Sequence, residues 1–231
     1  MPDLASSFED AWARLRNLDA LQLVGDAAEQ EFAKGRAQAL TFQIRIENPA
    51  ARDYIKQAIE HLGSIPGVDP LPDWFWHVTI KMAGFQVIKR TNDDDVLRED
   101  VPRLAREARE IITTSPAFEA RLGLPNAFAS VVFVEVLDEG RMAALNRVLL
   151  DGVSGIARYP IDGDGYLPHV SIARFRSNEG LDELKSKLAE LRAGEGGASF
   201  SVARVEFVKA WVSEDPPEFD VQATYQLKGV R

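Results

Sequence analysis

Leu40, Phe42, Ile44 and Ile46 alternate with Thr41, Gln43 and Arg45, the period of a strand with one face on a core. A helix start follows, with Asn48 able to cap free amides and Pro49 suited to the first position. Ala51, Tyr54, Ile55, Ala58, Ile59 and Leu62 make its apolar stripe, and Gly63 is placed to end it. Residues 74–85 read as a second strand, and 94–114 as a long helix with Pro102 in its first turn or dividing it. Strands are expected at 117–124 and 129–137, a helix at 139–151, a strand from His169 and a helix at 179–192. Two closing strands fall near 199–212 and 218–229. Before all of these, Phe8, Trp12 and Leu15 recur at helical spacing and Gly25 and Gly35 punctuate the stretch. Residues 1–36 are therefore expected to be a helical extension without chemistry of its own, and 37–231 the main domain.

Helices and strand pairs are mixed, and two strand pairs have no helix between them. This order predicts an α+β fold with mostly antiparallel pairing, not a doubly wound parallel sheet.

Composition narrows the function. The 231 residues are 45% hydrophobic and 27% charged, the balance of a globular chain. No apolar run approaches the ~18 residues of a membrane span, and Met1–Ala5 lacks the basic and apolar regions of a signal peptide. Cysteine is absent, which removes disulfides, thiolate metal sites and a Cys nucleophile and fits a cytoplasmic location. The net charge of −9 argues against bulk binding to nucleic-acid backbone but leaves room for a local basic cleft.

Histidine is scarce: His61, His77 and His169. Two of the three begin the same short pattern, His77-Val78-Thr79-Ile80 and His169-Val170-Ser171-Ile172. With 18 serines and threonines in the chain, chance would place a hydroxyl two residues after two of three histidines in only about 2% of sequences. A lone strand histidine is ordinarily a half-buried polar residue, but the recurrence 92 residues apart in similar contexts points to chemistry. On a strand, residues two apart share a face, so each imidazole stands beside its hydroxyl. Imidazoles titrate near neutrality, so one can take a proton while the other gives one. Two hydroxyls can hold the nonbridging oxygens of a phosphate between them.

These paired motifs resemble those of the 2H phosphoesterase superfamily, and within it the 2'-5' RNA ligase-like proteins, also described as RNA 2',3'-cyclic phosphodiesterases. The likeness spans about residues 38–230 and includes Pro168 before the second histidine and Ala173-Arg174 after its motif. It implies a bilobed, pseudo-symmetric α+β fold, with helices outside mostly antiparallel sheets and a central cleft. It also implies His77 and His169 as catalytic residues, Thr79 and Ser171 as phosphate ligands, and no metal or cofactor. The implied substrates are RNA ends or small nucleotides bearing a 2',3'-cyclic phosphate, opened to 2'-phosphates, with 2'-5' joining as the reverse. A monomer without membrane contact is expected. Cleavage of 2'-5' linked or cyclic oligonucleotide signals is the alternative within enzymes. A noncatalytic RNA-end binding module is the alternative outside them, although binding alone does not need two titratable groups.

Further residues are candidates beside these. By simple alternation Lys81 shares the face of His77 and Thr79, where it would meet phosphate or reach solvent. Arg174 lies five residues after His169, so a flat strand puts it on the opposite face; the resemblance favours a phosphate role, which needs a bulge or twist. Trp74, Trp76, Phe85, Tyr166 and Phe175 are candidate stacking surfaces, with core packing the commoner use of such rings. Asp162-Gly-Asp164-Gly reads as turn chemistry, Asp93-Asp94-Asp95 as a helix-start cluster, and His61 as a cation at a helix end.

Overall fold

The computed structural model describes residues 7–25 and 27–229, so the first residues, which bear on the absence of a signal, lie outside it. In chain order the elements are α1 (Phe8–Arg16), α2 (Ala27–Ala33), β1 (Gln38–Arg45), α3 (Pro49–Leu62), β2 (Val68–Pro70), β3 (His77–Val87), β4 (Asp95–Leu97) and α4 (Val101–Ile112). They continue with β5 (Phe118–Ala127), β6 (Val131–Leu137), α5 (Arg141–Gly152), β7 (His169–Phe175), α6 (Leu181–Arg192), β8 (Ser199–Val202), β9 (Arg204–Trp211) and β10 (Glu218–Gln226). No helix among the described residues is long and apolar enough to cross a membrane.

The strands form one sheet in the order β10-β9-β1-β3-β7-β6-β5-β8, with β2 added to β7 and β4 to β3. Its pairs are antiparallel except β3 with β4. The order hides a two-fold repeat. One half runs β1-α3-β3-α4-β5 and the other β6-α5-β7-α6-β9. Each half sends its third strand across to flank the first strand of the other, β5 beside β6 and β9 beside β1. The α+β, bilobed, pseudo-symmetric expectation is met. Val78, Ile80, Val134, Val170 and Ile172 bury one sheet face against Ile55 and Ala58 of α3, Leu104 of α4, Leu145 of α5 and Leu188 of α6. The opposite face is left for the cleft.

Local signals act as their chemistry requires. Asn48 Oδ1 accepts the Ala51 amide at 3.0 Å, Pro49 opens α3, and Gly63 leaves it at φ 62°. Pro102 sits in the first turn of α4, where its missing N–H is not needed.

Three boundaries differ from the periodicity. The long helix expected from 94 begins at Val101, because Asp95–Leu97 pairs parallel with Phe85–Val87 instead. Asp95 is no helix-start charge: its buried carboxylate accepts Arg36 Nη1 at 2.8 Å and the Thr91 and Asn92 amides, which together hold it well below the usual carboxylate range despite burial. The strand expected from 74 begins at His77. Asp73–Phe75 is one 3-10 turn, and Trp76 after it is a buried ring whose indole N–H donates to Leu71 O at 3.2 Å. The strand expected at 199–212 breaks at Ala203, whose carbonyl turns to accept the Leu227 amide.

The close approach of β4 to β3 depends on Gly84. Its φ is 134°, and a Cβ there would lie 2.5 Å from Asp94 O. Gly84→Ala is expected to lower stability by about 1–3 kcal/mol, read as a fall in urea midpoint at unchanged slope. A variant as stable as the wild type would show that this approach is not tight.

Candidate active site

β3 and β7 meet at one ladder pair, Val78 opposite Val170. Beyond it they part, β3 taking β4 as neighbour and β7 taking β2. In that antiparallel register His77 lies across from Ser171 and Thr79 across from His169. Both valines are fully buried on the helix-covered face. The four polar side chains therefore stand together on the other face, at the junction of the two halves. The two histidines occupy a diagonal of this square, a spacing of about 7–8 Å between such positions, room for one phosphate and its hydrogen bonds.

The two imidazoles are held alike. His77 Nδ1 lies 2.5 Å from Phe75 O, and His169 Nδ1 lies 2.7 Å from Leu167 O, in each case the carbonyl two residues upstream. A carbonyl only accepts, so Nδ1 carries the proton and donates, and the neutral ring keeps Nε2 as the acceptor. Neither Nε2 has a hydrogen-bond partner among the described residues. Each ring also meets a stacked pair of phenyl rings. Phe75 and Phe219 stack at 5.2 Å and each lies 5.0 Å from His77. Phe128 and Phe133 stack at 4.2 Å and each lies 5.1 Å from His169. This apolar packing disfavours the charged form. Burial lowers His77 to about 4 against the bond to Phe75, and His169 and Arg45 push the same way. Burial lowers His169 too, opposed by its bond to Leu167.

The same irregularity follows each motif. Gln43 pairs with Thr79 and Phe42 with Lys81, so β3 spends an extra residue, Ile80, where β1 spends none. Likewise Phe133 pairs with Ser171 and Val132 with Ala173, with Ile172 extra on β7. Such a bulge reverses the inward and outward alternation beyond it. The burial sequence is accordingly identical in both strands: half-buried His and hydroxyl, then two consecutive buried residues, Ile80-Lys81 and Ile172-Ala173, then a half-buried one.

This corrects Lys81. It is not on the face of His77 and Thr79 but withdrawn into the protein, its side chain fully buried, with Nζ donating to Asp162 Oδ2 at 2.8 Å and Met82 O at 2.6 Å and lying 4.9 Å from the Tyr159 ring. Asp162 closes its own loop by accepting the Tyr159 amide and Asn146 Nδ2, which is the turn chemistry expected of it. The equivalent bulge at Ile172 on β7 brings Arg174 round to the cleft face. Arg174 lines one cavity with Ser171 and is steadied by Asp215 at 2.5 Å.

The flanking strands differ in chemistry. Beside His77 and Thr79 lie Arg45 and Gln43, both donating to Glu206 Oε2, at 3.2 and 3.3 Å. Gln43 Oε1 is buried and, among the described residues, without a partner. Beside His169 and Ser171 lie Glu135 and Phe133. Glu135 is buried, and its Oε1 accepts Arg192 at 2.5 Å and Asn126 at 3.0 Å.

Among the expected stacking rings, Trp76, Phe85 and Phe175 are buried, Tyr166 donates its hydroxyl to Thr79 O at 2.9 Å, and Trp74 is exposed. Phe75, Phe128, Phe133 and Phe219, which touch the histidines, escaped the sequence reading; only Phe75, two residues before His77, carried a positional hint. His61 stands apart, meeting Glu190 at 3.3 Å on the surface.

Two like halves of a curled antiparallel sheet, with a His-x-hydroxyl motif from each at the junction, define the architecture of a 2H phosphoesterase. Residues 48–211 match the model of the 2'-5' RNA ligase superfamily, and the chain belongs to that superfamily. No curated protein matches it. Similar solved structures include TT0787 of Thermus thermophilus, 17% identical with a TM-score of 0.59 over 84% of this chain and 100% of that one. E. coli LigT complexed with 3'-AMP is 14% identical with a TM-score of 0.58 over 84% and 99%. ATU0111 of Agrobacterium tumefaciens, a conserved protein of unknown function, is 18% identical with a TM-score of 0.57 over 90% and 94%.

The buried Lys81–Asp162 pair separates structure from chemistry. Asp162→Ala leaves an uncompensated buried ammonium and is expected to cost about 3–5 kcal/mol in urea unfolding. A stability loss under about 1 kcal/mol would contradict this assignment.

Proposed function

We propose that the protein is a phosphodiesterase that opens 2',3'-cyclic phosphates on RNA ends or nucleotides, leaving 2'-phosphates, by acid–base catalysis between His77 and His169. The observation that carries this reading is the square of His77, Thr79, His169 and Ser171 at the Val78–Val170 pair, with both Nε2 atoms directed away from the bonds that fix the rings.

One Nε2 accepts a proton from water as its oxygen bonds to phosphorus. The other ring, protonated, gives its proton to the 3' oxygen as the P–O3' bond breaks. The base ends as imidazolium and the acid as neutral imidazole, and proton exchange with solvent restores the pair. Thr79 and Ser171 hydroxyls donate to the nonbridging oxygens, where charge grows in the transition state. Arg174, which lines the cavity with Ser171 and is paired with Asp215, offers guanidinium donors at the phosphate end. The acid must be protonated although burial disfavours it, and the anionic diester seated between the rings supplies the missing stabilisation.

His77→Ala and His169→Ala are each expected to lower kcat/KM for adenosine 2',3'-cyclic phosphate by about 10²–10⁴-fold with unchanged circular dichroism. Thr79→Ala or Ser171→Ala is expected to cost about 10²–10³-fold. Wild-type turnover by either histidine variant would remove the mechanism.

The pH profile carries a second expectation. Both rings titrate below the usual 6.5 in the free protein, so the neutral form of each is retained to lower pH and the protonated form is lost earlier as pH rises. The bell of kcat/KM should therefore be centred on the acid side of 6.5, and that of kcat, which reports the bound complex, should move towards alkaline pH. Superimposable profiles would show that the diester does not stabilise the imidazolium.

A further inference from the structure

We infer that the segment before β1 builds a nucleobase site against the phosphate end, so that this extension selects the substrate. The inference rests on the phosphate position proposed above.

A cavity of about 380 Å³ adjoins Ser171 and Arg174 on the cleft face. Its size falls in the range of small-ligand sites. One wall belongs to the main domain and includes Phe75, the ring that also packs edge-on against His77 at 5.0 Å. The facing wall comes from the extension: Gln22, Leu23, Val24 and Phe32. All four lie outside the 48–211 family match.

That wall is built in. The Gln22 amide donates to Ala129 O at 2.8 Å, the Val24 amide to Phe175 O at 2.9 Å, and the Leu21 amide to Asn178 Oδ1 at 2.6 Å. Leu15 and Leu21 are buried in the main core. Beyond α2, Arg36 pairs with Asp94 at 2.5 Å and Asp95 at 2.8 Å and lies 3.8 Å over the Phe85 ring. The strap is thus tied at both ends, and its backbone bonds free the side chains of residues 22–24 for the cavity.

The chemistry of the cavity is graded. Ser171, which is also one corner of the histidine square, and Arg174 mark an anion-binding end. Phe75 and Leu23 supply apolar surface of the kind that takes a flat ring by stacking. The Gln22 carboxamide and the Ser130 hydroxyl, which also line it, offer donors and acceptors to the edge of such a ring. A phosphate end, an apolar body and a polar rim fit the base of the terminal nucleotide.

Equilibrium binding tests this without requiring turnover. Adenosine 2'-monophosphate and methyl riboside 2-phosphate, which lacks the base, are titrated calorimetrically into the full-length protein. The wild type is expected to favour the nucleotide by at least about tenfold, the worth of one stacked base. Leu23→Trp, which fills the cavity, is expected to bring that ratio to within about threefold. Gln22→Ala, at an exposed side chain that does not endanger folding, is expected to lower it about two- to fivefold. No preference in the wild type, or a preference untouched by both variants, would overturn the base site. A base preference without any cyclic-phosphate hydrolysis would instead overturn the proposed reaction and leave the binding site standing.

Discussion

The structure depends on a single antiparallel contact, Val78 against Val170. The two halves are separately completed by strands exchanged between them, β5 onto β6 and β9 onto β1, so their sheets are well formed on either side. At the centre only this pair joins β3 to β7. Because side chains alternate along strands, burying these two valines on the helix side leaves the residues before and after them no choice but the cleft. The burial of two apolar side chains thus orients four polar ones. The strands alone place the four side chains, and the two histidines inherit the pseudo-symmetry of the fold. The shared ring–carbonyl bond, the shared phenyl pair and the shared bulge all follow from one arrangement used twice.

The bulge marks how far the sequence could be read. Up to the hydroxyl of each motif, strict alternation holds, and His77, Thr79, His169 and Ser171 fall where the period puts them. One residue later the strand gains Ile80 or Ile172 without a matching residue on β1 or β6. No local signal announces this, for neither position is glycine, and the cause lies in the strand beside it. Alternation therefore assigned Lys81 to the cleft and Arg174 away from it, and both are reversed. Their chemistry fits the reversed places: Ala173, the counterpart of Lys81, is small and apolar, while buried Lys81 has its charge met by Asp162, 81 residues away. The phenyl pairs were hidden for the same reason, since Phe219 and Phe128 come from other strands and turns. The boundary at Asp95 was equally non-local, resting on Arg36 from before β1. Fold class, by contrast, was legible, because it needs only the order of periodic segments.

Charge in the cleft is organised to remain near balance. Arg45 faces Glu206, Arg192 faces Glu135 and Arg174 faces Asp215. None of these cations stands alone against the histidines, which is consistent with a chain of net charge −9 that does not gather polyanions indiscriminately. The depressed histidines add to this, being uncharged in the free protein near neutrality. The negative charge of a phosphodiester entering the square would favour the protonated form of a ring. On the proposed reading, substrate binding and activation of the acid are one electrostatic event.

The asymmetry that remains lies at the flanks of the site. Polar Gln43 and Arg45 border one motif, and Phe133 and Glu135 border the other, so a substrate meets two different sides although the centre is symmetric. The segment around residues 22–24 lies on the second side, near the Val131–Arg174 pair. Its attachment through backbone amides places little demand on which side chains it carries, whereas the proposed chemistry of the histidine square rests on its side chains. On the proposed reading, a segment fixed by its backbone beside a centre fixed by its side chains can vary in what it recognises without disturbing what is done to the phosphate. The core within the family match would then keep one chemistry while residues 22–24, outside that match, choose the molecule on which it acts.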